Sequence, residues 1–263
     1  MSTVLTAQGL THSYKQHGWF RRPQTKASLK NVSLNVPAGS SIGLVGGSGA
    51  GKSTLLRALL ALEKPDAGTV AIGGQHVKPG PASKLRWYRR LVQYVPQNPA
   101  GSLNPAMTVR ALLLEPLRQL RIDGDHEHLV RSALERVSLE ACMLDRKPTE
   151  LSGGQNQRVA IARALTPGPR ILLADEPVSG LDLPLRNSVL DLLHELVSRD
   201  GLGLLFVSHD LAAVSLLCPE TIILSAGHIV EQGPTAQLFA DPQHAHTREL
   251  IASIPTLERA QRP

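Results

Sequence analysis

Long apolar runs are missing from this chain of 263 residues. No stretch reaches the roughly 18 apolar residues that a membrane-spanning helix needs. The N-terminus, MSTVLTAQGLTHSY, lacks the basic region and apolar stretch of a secretory signal, so a place in the cytosol is expected. Cysteine is scarce: Cys142 and Cys218 lie far apart and without metal-ligand spacing. That fits a reducing compartment, argues against an iron–sulfur or zinc site, and leaves both thiols as small apolar fillers. Aromatic residues make up only 3%, too few for rows of base-stacking platforms. The net charge of +6 therefore does not point to nucleic acid, because its densest clusters, FRRPQTK and KLRWYRR, are small and read as solvated basic faces. Internal repeats, low-complexity segments and heptads are absent as well.

What is present is the balance of a globular protein, 42% hydrophobic and 19% charged, in a length that suits one large α/β domain. The strongest chemistry lies in SIGLVGGSGAGKSTLLRALLAL. Ser41 to Val45 has strand character and Leu55 to Leu62 has helical apolar spacing, which predicts a loop over Gly46 to Thr54. Gly46, Gly47, Ser48, Gly49, Ala50, Gly51, Lys52 and Ser53 match GxxxxGK[ST], a phosphate-binding P-loop. Its glycines let backbone N–H groups converge on phosphate oxygens with no Cβ in the way. Lys52 is expected to reach the β- and γ-phosphates of ATP, and the Ser53 hydroxyl to meet Mg²⁺, with Thr54 completing the loop.

A magnesium site of this type needs a further carboxylate, and RILLADEPVSGLD offers one. Ile171 to Ala174 reads as a buried strand with Asp175 at its carboxyl end, where ligands bind in open parallel sheets. Asp175 is thus the expected magnesium partner, and Glu176 is placed to orient or deprotonate the attacking water. A second anion-binding signal stands in ELSGGQNQR, a glycine pair behind a serine at the start of the helical pattern VAIARAL.

Together, Gly46–Thr54, the LSGGQ of 151–155, Asp175–Glu176 and the VSHD of 207–210 resemble an ABC-transporter ATPase across nearly the whole chain. The resemblance implies a P-loop NTPase (RecA-like) core with an antiparallel β edge and an α-helical subdomain carrying the signature. Residues 1–97 and 166–232 would form the nucleotide-binding core, the latter part completing a parallel sheet. Residues 98–165, with TVRALLLEPLRQL and HLVRSALERVSL, would form the helical subdomain, and 233–263 a tail with a short helix. GTVAIGG reads as a strand and FRRPQTKAS as an exposed hairpin insertion. Residue by residue, the resemblance implies that Ser152, Gly153, Gly154 and Gln155 cap the ATP held by a partner subunit. It implies that Tyr14 stacks on adenine and that Gln97 touches Mg²⁺ or the water and links the site to the membrane partner. His209 would hold Glu176 and the γ-phosphate in register, and Asp182, in SGLD where the family usually has SALD, would contact the opposite P-loop.

One segment narrows the resemblance further. PQNPAGSLNPAMTVRALLLEPL at 96–117 and DPQHAHTREL at 241–250 are similar to the peptide, nickel and opine importers. These imply a second, non-identical ABC ATPase, two integral membrane permeases, an extracytoplasmic solute-binding protein, and a place on the cytoplasmic face of the bacterial plasma membrane. His244 and His246 read as surface residues, since two histidines one residue apart on a helix diverge and no third ligand is at hand. The alternatives are a soluble ABC ATPase without a permease, which would carry coiled-coil insertions or a second cassette, and a subunit without turnover, which would have lost Glu176, His209 or the signature.

Overall fold

The computed structural model of the chain describes residues 3–18 and 21–252, the side chains of 15–18 and 21–26 excepted. It opens with β1 (Val4–Gly18) and β2 (Arg21–Pro37), paired antiparallel from Val4↔Pro37 to Gly18↔Arg21. In β2 the alternation is plain: Val32, Leu34 and Val36 are buried while Asn31, Ser33 and Asn35 are exposed, the period-2 signature of a strand with one face on a core. Phe20, the first residue of the expected insertion, and Trp19 before it lie outside the described residues.

β3 (Ser41–Val45) is buried at every position and leads through the glycine loop into α1 (Lys52–Leu59). Here the structure corrects the expected bounds. The helix begins at Lys52, so Lys52, Ser53 and Thr54 stand on its first turn rather than in the loop, and it ends at Leu59 rather than Leu62. Ala61 adopts a left-handed φ of 52°, which stops the helix, and Leu62 is left exposed. β4 (Ala67–Ile72), β5 (Gln75–Val77), α2 (Ala82–Leu91) and β6 (Val92–Val95) follow. The KLRWYRR cluster lies on α2 and is not merely a solvated face: Leu85 and Tyr88 are buried, and Arg90 donates through Nε and Nη2 to the Leu120 carbonyl at 3.1 and 2.9 Å.

Residues 98–165 contain helices and 3₁₀ turns but no strand: α3 (Val109–Leu120), α4 (His126–Arg136) and α5 (Gly153–Leu165). Each starts where a side chain, that of Thr108, Asp125 or Ser152 respectively, accepts from an otherwise orphaned backbone N–H. The chain then alternates through β7 (Ile171–Asp175), α6 (Leu183–Ser198), β8 (Gly203–Val207), α7 (Leu211–Leu217), β9 (Glu220–Ser225) and β10 (His228–Pro234). It ends in α8 (Thr235–Ala240) and α9 (Ala245–Ala252).

Two sheets result, a four-stranded antiparallel one in the order β2-β1-β4-β5 and a six-stranded one in the order β10-β9-β3-β8-β7-β6. The larger sheet is not parallel throughout, as 166–232 led us to expect: β10 turns back antiparallel to β9 and runs on to Pro234. The two-residue loop Ala226-Gly227, with φ of 48° and 83°, is the cause, because two positive φ values make the tight hairpin turn that reverses a strand. Alternation sorts the central strands onto two cores. Leu172, Ala174, Leu204 and Phe206 face the helices of the 98–165 block, while Ile171, Leu173, Leu205 and Val207 face α1 and the antiparallel sheet. Each such fully buried large apolar side chain contributes about 1.5–3 kcal/mol. Cys218 joins the first core as expected, and burial pushes its thiol up to about 12; Cys142 is exposed and fills nothing. No helix among the described residues is long and apolar enough to cross a membrane.

Candidate active site

Strand order brings the chemistry together. β3, β8 and β7 are neighbours and parallel, with Leu44 opposite Val207 and Val207 opposite Asp175. Their carboxyl ends therefore deliver the glycine loop, His209 and the Asp175–Glu176 pair side by side, and β6, next to β7, delivers Gln97. These residues line one cleft of about 810 Å³ together with Tyr14, Ala27 and Ser28. That volume lies within the range of small-ligand and cofactor sites, about 300–1,000 Å³.

The loop wraps the start of α1. Lys52 Nζ donates to the carbonyls of Gly46 (2.5 Å) and Gly47 (3.2 Å), which holds the ammonium over the loop. A Cβ on Gly46 would lie 2.3 Å from the Leu224 carbonyl oxygen, so only glycine allows the loop to close on β9. A Cβ on Gly47 or Gly49 would meet no protein atom within 4 Å, leaving room at the cleft wall for phosphate oxygens. Converging amides, the positive end of α1 and a lysine fit a polyphosphate.

The two acids are held separately. Asp175 Oδ2 accepts from the Tyr94 hydroxyl at 3.1 Å. Burial raises the pKa of Asp175, with the Tyr94 hydrogen bond and Lys52 pulling the other way and the charge of Glu176 adding to the rise. Tyr94 itself is pushed up to about 12, first by burial and then by the adjacent carboxylate, so its phenol stays a neutral donor. Glu176 is gripped on both oxygens: Gln97 Nε2 donates to Oε2 at 2.9 Å, and His209 Nδ1 lies 3.1 Å from Oε1. Its backbone sits at φ 47°, an uncommon conformation for a side-chain-bearing residue, anchored by its N–H on the Val207 carbonyl at 2.8 Å. With the Gln97 amide nitrogen on Glu176, its carbonyl oxygen remains for a metal or water. Ser53, Asp175 and Gln97 thus offer only oxygen, the donor set of a hard cation such as Mg²⁺. Among the described residues no cluster of three or more His, Cys, Asp or Glu forms a metal cage. A cation here would draw its remaining ligands from phosphate and water.

Ser152, Gly153, Gly154, Gln155 and Asp182 are not in this cleft. Ser152 and Gln155 form a reciprocal cap at the start of α5, Ser152 Oγ accepting from Gln155 N (3.2 Å) and Gln155 Oε1 from Ser152 N (2.9 Å). Asp182 caps α6, accepting from Leu185 N at 2.9 Å. The two helix starts adjoin, since a Cβ on Gly154 would lie 2.7 Å from Leu185 Cδ1.

Several contributors escaped the sequence reading. Tyr14 donates to Glu63 Oε2 at 2.7 Å and lies 3.4 Å from Thr54 Oγ1, which accepts from Ser28 Oγ at 2.6 Å. His12 meets the same Glu63 and packs edge-on against the Tyr14 ring. Arg186 pairs with both carboxylate oxygens of Asp210, tying α6 to the residue after His209. Nothing at the level of local pattern marked Tyr94, Glu63 or Arg186, because each works through a partner far along the chain.

A phosphate loop, a strand-end acid pair and an oriented glutamate define a P-loop ATPase. The chain belongs to the ABC transporter family, whose profile matches residues 29–179. It is similar to the nickel import ATP-binding protein NikE of Rhodospirillum rubrum, 42% identical over 262 residues that cover 97% of this chain and 94% of that one. It is also similar to the di/tripeptide transport ATP-binding protein DppF of Pseudomonas aeruginosa, 38% identical over 98% of this chain and 80% of that protein. Among solved structures, the dimeric ATP-binding cassette MJ0796, in a post-hydrolysis state bound to ADP and Pi, matches with a TM-score of 0.75 and 30% identity. That match covers 88% of this chain and 98% of the other.

Proposed function

We propose that this chain is the ATP-hydrolysing subunit of an importer for peptides, nickel or metal chelates. It acts at the cytoplasmic face of a bacterial plasma membrane with two integral permeases, a second, non-identical ABC ATPase and, indirectly, an extracytoplasmic solute-binding protein. The observation that carries the reading is the grip of Gln97 and His209 on Glu176 beside a complete phosphate loop: this cleft is arranged for turnover rather than for nucleotide storage. The names borne by the relatives, nickel import and di/tripeptide transport, support the cargo classes. The block of 98–165, all helix and turn, supports a helical subdomain set against a core of 1–97 and 166–232, with 233–263 as tail.

In this mechanism the loop amides and Lys52 hold the β- and γ-phosphates, and Tyr14 provides the face for adenine. Ser53, Asp175 and Gln97 would hold Mg²⁺, which when bound neutralises charge on the phosphate oxygens. Glu176, fixed by Gln97 and His209, orients a water in line with the γ-phosphorus and takes its proton as the bond to the β–γ bridging oxygen breaks, giving ADP and phosphate. Ser152, the Gly153 and Gly154 amides and Gln155 close over the partner's ATP, with Asp182 against the partner's loop. The Ser152 hydroxyl keeps its proton available for a phosphate oxygen, because its cap uses it only as an acceptor.

The test is to purify the native complex from membranes, count ATPase chains by mass and measure solute-stimulated hydrolysis in vesicles. One copy of this chain beside a different ATPase, with two permeases, is expected. Two identical copies with full activity would overturn the heterodimer and leave the ATPase standing. A fully active enzyme without any permease would overturn the importer.

A further inference from the structure

The two neighbouring carboxylates have entirely different keepers. Glu176 is held by two residues that border the cleft, Gln97 and His209. Asp175 is held by one that does not: Tyr94 is half-buried, is absent from the cleft lining and reaches Asp175 from the side of the sheet outside the cleft. The path follows from strand geometry. Tyr94 pairs with Leu173 in the parallel β6–β7 ladder, and Asp175 is two residues further along the same face. Diagonal neighbours on one sheet face are within reach of aromatic and other long side chains. Tyr94 packs against the core to which Val92 and Leu173 belong. The hydroxyl donates to Oδ2 alone, at 3.1 Å.

We propose that Tyr94 is the positioning residue for Asp175, fixing its carboxylate plane so that the other oxygen is presented to the magnesium shell, and that Tyr94 thereby sets how tightly this ATPase holds its metal. A metal-ligating carboxylate is oriented by hydrogen bonds from outside the site, and such partners govern metal affinity. Glu176 is a rival for the same metal one residue away. With Gln97 and His209 on Glu176 and Tyr94 on Asp175, one acid is committed to water and the other to the cation. The proposal rests on Asp175 being the metal carboxylate.

Tyr94→Phe tests it, because the ring and its packing remain and only the donor is lost. In the full chain, Mn²⁺ serves as the probe: its binding to the ATP complex is followed by electron paramagnetic resonance, and ATP affinity is measured by calorimetry in excess Mg²⁺ and in EDTA. Tyr94→Phe should weaken Mn²⁺ binding roughly tenfold, the low end of what loss of such a partner costs, while ATP affinity in EDTA is unchanged. Asp175→Asn should weaken Mn²⁺ at least as much, and adding Tyr94→Phe to it should change little further, since coupled groups do not lose their effects twice. Wild-type Mn²⁺ affinity in Tyr94→Phe would overturn the proposal. So would an equal loss of ATP affinity with and without metal, which would make the hydroxyl merely structural, or full additivity in the double variant. Wild-type Mn²⁺ affinity in Asp175→Asn would overturn the metal assignment itself, and the Tyr94 proposal with it.

Discussion

The phosphate-loop cleft and the signature region each present a helix N-terminus, but they stand at different stages of completion. In the cleft, four strand ends converge, so amides, a lysine, two acids, a glutamine and a histidine face one volume of about 810 Å³ within a single chain. At the signature, Ser152, Gln155 and Asp182 bond to their own helix starts and line no cleft of this chain with the loop. A cap of that kind stabilises α5 and α6 whether or not a nucleotide is near. The first region is therefore lined by a single chain, and under the proposed function the second becomes a site when another subunit supplies the phosphate.

The largest expected effect separates chemistry from binding inside the cleft. Glu176→Gln keeps size and hydrogen bonding but cannot take a proton. Turnover in the assembled transporter should fall about 10²-fold or more, the scale of a lost general base, with ATP affinity retained. Steady-state hydrolysis beside nucleotide binding checks this, and a rate near wild type would remove Glu176 from the role. Next, Ser152→Arg adds bulk and charge at the start of α5. It should abolish the rise in hydrolysis that partner subunits induce while leaving ATP binding to this chain's own loop intact. If its own ATP binding collapsed instead, the contrast between the two regions would be broken.

Two smaller effects sharpen the contrast on the scale of stability. Burial raises the pKa of Asp175 above the unfolded value of 3.8, so the folded chain binds more protons than the unfolded one as pH climbs above that value. Stability then declines as pH rises through that window. Asp175→Asn, which still offers Tyr94 an acceptor, should raise the melting temperature of the nucleotide-free chain at pH 7 and lose that advantage near pH 3. Calorimetry at the two pH values decides it, and equal shifts at both would contradict the sign. Smallest of all, Ser152→Ala removes only the cap and should cost about 1 kcal/mol in denaturant unfolding. A neutral result would mean that the hydroxyl serves only the partner's phosphate.

Short-range features were legible along the chain. The loop of Gly46–Gly51, the acid pair after Ile171–Ala174 and the serine before α5 each depend on residues within one strand, turn or helix start, where spacing alone fixes geometry. Misreadings occurred where local pattern and long-range packing compete. Apolar spacing carried α1 on to Leu62, but a left-handed Ala61 ends it earlier, and the Ala226-Gly227 turn made the last sheet strand antiparallel.

Consecutive residues were enough to mark a phosphate loop, a strand-end acid pair and the ABC signature, because each such group carries its geometry with it. Which side chain holds which depends on the folded arrangement. Gln97 reaches Glu176 across 79 residues and Tyr94 reaches Asp175 across 81. His12, Tyr14 and Glu63 meet beside the loop helix. The order in which parallel strands lie side by side, set by burial of both sheet faces, brings Gln97 and Tyr94 to the acid pair, and the packing of the antiparallel sheet beside α1 brings His12 and Tyr14 to Glu63.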